Sequence, residues 1–68
     1  MPETTDKGVV IPDELVVALH AAPDAEAAFA ALAASHQLEW ASFVDDALMP
    51  DARERRAARC VQELRGAP

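Results

Sequence analysis

The sequence has no tyrosine, only three aromatic residues, one cysteine, two glycines and a single lysine. Each scarcity excludes something. Cys60 cannot form an internal disulfide, and a small secreted domain with little core usually needs several such bridges, so a reducing compartment is expected. No stretch approaches the roughly 20 apolar residues that span a bilayer. Met1 to Gly8 is polar and lacks both the basic start and the apolar run of a signal peptide. The chain is therefore expected to be cytoplasmic.

A chain of 68 residues buries only about 60% of the surface its unfolded form exposes, which disfavours a large enclosed catalytic cleft. Apolar residues make up 51% of it, but 16 of them are alanine, leaving 18 bulky Val, Ile, Leu, Met, Phe and Trp positions to fill a core. The net charge of -6 and pI near 4.6 argue against general affinity for nucleic acid or anionic membrane. The sign is unevenly spread. Residues 1–50 hold nine acids against Lys7 alone, whereas residues 51–68 hold three acids and five arginines.

Met1 to Gly8 shows no apolar periodicity and reads as a disordered leader, followed by a helical domain over residues 9–68. Val9, Val10 and Ile11 form an apolar run too short for an independent strand. Three Pro-Asp pairs follow: Pro12 with Asp13, Pro23 with Asp24 and Pro50 with Asp51. Proline suits the first helical position and an acid in the first turn complements the helix dipole. Ser35 reads as the N-cap of a further helix. The predicted helices cover 12–21, 24–34, 36–48 and 51–65, with Gly66 as the terminal C-cap.

At 100° per residue each segment carries one apolar stripe. The first groups Leu15, Val16, Leu19 and Ala22; the second Ala25, Ala28, Phe29 and Leu32. The third groups Trp40, Phe43, Val44, Ala47 and Leu48, with Glu39, Ser42, Asp45 and Asp46 opposite; the fourth groups Ala57, Cys60, Val61 and Leu64. The fold class this predicts is all-α, a small bundle of four short helices. Trp40, the largest side chain, is expected inside, and its loss to be the most damaging single truncation.

The arginines of the last helix divide by direction. Arg53 lies in line with the apolar stripe and Arg56 flanks it, which assigns both a structural role, meeting carboxylates or carbonyls such as those at Asp45 or Asp46. Arg55 and Arg59 point away and, with Arg65, are available to a partner. A nucleic-acid contact is disfavoured because no Gly or aromatic residue is interleaved with these bases. His20, His36 and Cys60 stand at no zinc spacing, so no metal is expected. Neither Cys60, on a core stripe, nor Ser35, at a cap, has the neighbours of a nucleophile. The acidic face Glu39, Asp45 and Asp46 lacks the Gly-containing loop of a cation site. No catalytic residue and no cofactor is expected.

The run from Ile11, Pro12, Leu15 and Leu19 through Phe29 and Leu32, then Ser35, His36, Trp40, Phe43, Val44 and Ala47, and finally Pro50, Arg53 and Arg56, resembles the bacteriocin-protection, YdeI/OmpD-associated family. The resemblance extends from about Val10 to Gly66. Departures occur at Ala52, where the family usually has Thr, and at Leu48 and Met49, usually basic. The resemblance implies a compact helical domain, often the C-terminal half of a protein with a β-rich N-terminal domain, and no assigned catalytic activity. The expected function is a non-enzymatic, stress-associated or protein-interaction module whose protein partner the sequence does not identify. The alternative is a small nucleic-acid-associated regulator using Arg55, Arg59 and Arg65. The oligomeric state is left open.

Overall fold

The computed structural model describes residues 3–66. Strands β1 (Glu3–Thr4) and β2 (Val10–Ile11) precede four helices: α1 (Asp13–His20), α2 (Pro23–Ala31), α3 (Ala34–Asp45) and α4 (Pro50–Leu64). The chain is thus mainly helical, as its periodicity predicts, but all-α is a correction. β1 pairs antiparallel with β2, Glu3 opposite Ile11 and Thr4 opposite Val10.

The leader is corrected with it. Gly8 N–H donates to Thr5 C=O at 2.9 Å, Thr5 N–H donates to Val9 C=O at 2.8 Å, and Gly8 sits at φ 84°, closing a tight hairpin that needs a glycine at that left-handed position. Residues 3–8 are therefore ordered against the helices; Met1 and Pro2 of the expected leader lie outside the described residues. The hairpin turns Val9 and Ile11 inward and leaves Val10 outward, the period of two that a strand imposes.

The prolines act at or beside the helix starts. Pro23 and Pro50 occupy the first turns of α2 and α4, where the missing N–H has no intrahelical partner to lose. Pro12 is the extended residue before α1, and its carbonyl accepts from Leu15 and Val16 N–H, both at 3.0 Å. Ser35 is not the N-cap of α3. Leu32 and Ala33 are both extended, so the helix begins at Ala34, and the Ala33 carbonyl accepts from His36 and Gln37 N–H. Gly66, at φ 67°, follows α4, and its N–H reaches Glu63 C=O at 3.1 Å.

α4 packs against all three other helices. The core joins Leu15 and Leu19 of α1, Ala25 and Phe29 of α2, Ala41 and Val44 of α3, and Ala57 and Cys60 of α4, with Val9 and Ile11 from the hairpin. The alanines allow close helix approach. The buried face of α3 differs from its predicted stripe. Gln37, Ala41 and Val44 face inward, while Trp40 and Phe43 are half-buried along one flank. Leu48 lies beyond the helix end at Asp45 and is 93% exposed.

Candidate interaction surface

Two arginines hold the C-terminal end of α3. That end has orphan carbonyls and no basic residue in its own last turn. Arg53 and Arg56, three apart on α4 and so on one side of it, supply the donors from outside. Arg53 Nη1 donates to the carbonyls of Asp45 at 2.9 Å and Ala47 at 3.1 Å, Nη2 reaches Asp45 Oδ1 at 3.2 Å, and Nε lies 3.1 Å from Glu14 Oε2 of α1. Arg56 Nη1 donates to Phe43 C=O at 2.8 Å, and its guanidinium lies 4.9 Å from the centre of the Phe43 ring. Phe43 in turn meets Trp40 edge-on, centroids 5.7 Å apart.

The electrostatics follow from these contacts. The hydrogen bond from Arg53 holds the Glu14 carboxyl below its usual range, helped by a backbone bond, and Glu14 and Asp45 raise Arg53. The second Glu14 oxygen, Oε1, is enclosed with no hydrogen-bond donor among the described residues.

Arg55, Arg59 and Arg65 are exposed, and each has an acidic neighbour. Arg55 Nη1 is 3.1 Å from Asp51 Oδ2, a contact that lowers the Asp51 carboxyl pKa; Arg59 Nε is 4.0 Å from Glu63 Oε2. Arg65 Nε reaches back to Asp24 Oδ2 at the start of α2, at 3.0 Å. Arg55 and Arg59, four apart on α4, lie on one side of that helix, and Arg65 follows its end.

Four polar residues that sequence reasoning missed tie the hairpin and α1 down. Gln37, buried on the inner face of α3, accepts from Thr5 Oγ1 at 2.8 Å and donates to Phe29 C=O at 3.0 Å; Thr5 Oγ1 also accepts from Val9 N–H at 3.1 Å. Lys7 Nζ donates to Ala30 C=O at 2.9 Å and to Leu32 C=O, satisfying the end of α2. Glu14 is the fourth. A signal existed for Gln37, which falls four and seven residues before Ala41 and Val44 on one helical stripe. Thr5 and Lys7 carried none, because Gln37, Ala30 and Leu32, which they reach on the helices, lie more than twenty residues away.

His20, at the end of α1, contacts carboxylates with both ring nitrogens: Nε2 with Glu3 Oε2 at 3.1 Å and Nδ1 with Glu26 Oε2 at 2.7 Å. The Glu3 hydrogen bond, then the Glu26 charge, raise its pKa above 6.5. Burial pushes the Cys60 thiol up to about 12, which leaves no thiolate at neutral pH. Ser35 and His36 are exposed at the start of α3. Among the described residues, no group of three or more His, Cys, Asp or Glu is placed to hold a metal ion, and no helix is long and apolar enough to cross a membrane.

The Arg53 cluster forms one end of an open groove of about 440 Å³ between the outer edge of β2, the start of α1, and α3. Its apolar lining includes Val10 and Leu38, 60% and 56% exposed, beside Pro12 and Ala41. Asp13, Glu14 and Asp45 contribute carboxylates to the same groove.

A four-helix unit clasped by a short β-hairpin, with an arginine pair closing α3, defines a small, predominantly helical domain. The chain belongs to the bacteriocin-protection, YdeI or OmpD-associated family (OmdA), whose family model matches residues 8–66. No curated protein and no solved structure matches the chain significantly.

Proposed function

We propose that this OmdA-family domain is a non-enzymatic protein-interaction module, acting in the protective setting that its family's name describes. The observation that carries the reading is the groove. Two large apolar side chains, Val10 and Leu38, line one concave surface while more than half exposed, which gives the groove an apolar wall that a partner could cover. The chemistry elsewhere supports it. The thiol is buried and protonated, and both nitrogens of His20 are engaged by carboxylates. The nucleic-acid alternative is weakened by the acid beside each of Arg55, Arg59 and Arg65 and by the net charge of -6.

A photo-reactive amino acid at position 38 tests this reading. Irradiation in a lysate of the source cells should give discrete protein adducts that excess unlabelled chain suppresses. An absence of adducts, or adducts to nucleic acid, would overturn it.

A further inference from the structure

The groove beside β2 has a backbone feature that narrows what can occupy it. In an antiparallel pair, hydrogen-bonded and non-hydrogen-bonded positions alternate. Thr5 N–H bonds Val9 C=O, so the next pair, Thr4 and Val10, is the non-bonded one. The N–H and C=O of Val10 therefore point away from β1, toward the outer edge where the groove runs, and among the described residues neither takes a hydrogen-bond partner. Pro12 has no N–H and its carbonyl is taken by α1. An incoming chain thus finds one donor and one acceptor at Val10, flanked by apolar surface from Leu38 and Ala41.

Charge decides the rest. Three acidic residues, Asp13, Glu14 and Asp45, line the groove together with one basic residue, Arg53, whose guanidinium contacts Glu14 and Asp45. The Asp45 side chain is still 70% exposed after that bond, and the whole chain is acidic. We propose that the groove takes an extended segment of a partner protein, apolar at alternate positions and carrying lysine or arginine between them, which adds as a strand to the outer edge of β2. Strand addition draws affinity from main-chain bonds and specificity from alternate side chains. A helix, with its backbone groups bonded internally, offers Val10 nothing. An acidic segment meets the surplus of carboxylates. The proposal rests on the interaction-module reading and specifies its partner.

The test uses the full chain and a displayed library of random dodecapeptides. Selected sequences should alternate apolar residues with Lys or Arg, should shift the amide resonances of Val10, Leu38, Ser42 and Asp45 saturably, and should weaken as salt rises. Leu38→Asp, at an exposed position, should raise Kd roughly tenfold or more without lowering the melting temperature. Methylating the peptide nitrogen that faces Val10 should have a similar effect, and that measurement leaves the protein untouched. The proposal is overturned by selected sequences with helical periodicity or an acidic bias, by shifts that map elsewhere, by indifference to N-methylation, by concentration-dependent shifts at these amides without peptide (a second copy in the groove), or by no selection at all. If selection fails while the position 38 adducts persist, strand addition is wrong and the interaction module stands. If both fail, neither survives.

Discussion

Arg53 Nε lies 3.1 Å from Glu14 Oε2, and the two side chains are only 21% and 26% exposed, so one guanidinium joins α4 to α1 while it also closes the end of α3.

Removing that guanidinium leaves the mostly enclosed Glu14 carboxylate, the Asp45 carbonyl at the end of α3 and the part-buried Ala47 carbonyl just beyond it without their donor. Arg53→Ala should therefore lower the melting temperature well beyond any loss in Arg55→Ala or Arg59→Ala, whose acidic partners are themselves exposed and which should stay within about 2 °C of the parent. Thermal melts of the three variants decide the matter. Equal losses at all three positions would show that Arg53 does no more than a surface charge.

Gln37 is 1% exposed and bonded at both ends of its amide. Replacing it with Leu keeps the bulk but takes the acceptor from the Thr5 hydroxyl and leaves Phe29 C=O with Leu32 N–H alone, at a cost of roughly 1–3 kcal/mol. Urea unfolding should show this, and hydrogen exchange should quicken at Val9 N–H, which bonds the same threonine oxygen. A stability change under about 0.5 kcal/mol would mean that water replaces the lost partner.

Leu15 is wholly buried and Trp40 is half-buried, which reverses the ranking expected from side-chain size. Leu15→Ala should cost about 2–5 kcal/mol, comparable to the total stability of such a domain, and more than Trp40→Ala. Trp40 emission should peak between the values for buried and fully hydrated indole. Greater damage from the Trp40 truncation would restore the stripe read from the sequence.

The two carboxylates at His20 give stability a defined pH dependence. Its folded pKa is raised above the unfolded value near 6.5, so its contribution is fully present below pH 6.5 and is lost as the pH rises through the folded pKa. The melting temperature should fall across that interval, and the slope should flatten in His20→Gln. Titration of the His20 ring protons by NMR should place the folded midpoint above 6.5. A midpoint below that value would remove the Glu3 and Glu26 contacts from solution.

Cys60, with its thiol pushed up to about 12, should resist a disulfide-exchange reagent at pH 8 under native conditions and react promptly in denaturant. Fast native labelling would contradict its place in the core.

Helix starts were legible because they depend on local backbone chemistry. Pro12, Pro23 and Pro50 act within one turn of their own position, and an observer of the chain alone can place them. Ser35 shows the limit of that logic. A good capping residue does not cap when the chain before it stays extended only to Ala33, so that the helix begins two residues too early. The groove was not legible at all, since Val10 and Leu38 are far apart in sequence and meet only when the hairpin lies beside α3.

By itself the sequence determined the number of helices, their approximate limits, and the sharing of one side of α4 by Arg53 and Arg56, because each is a matter of spacing within a few turns. Tertiary structure alone decided that residues 3–8 fold back as a hairpin, that Gln37 meets Thr5 and Phe29 C=O, and that Arg53 takes Glu14 as well as Asp45. The reason is physical. A polar side chain can be buried only if a partner arrives to meet it, and Thr5 reaches Gln37 across 32 residues of chain, a distance over which no local propensity acts.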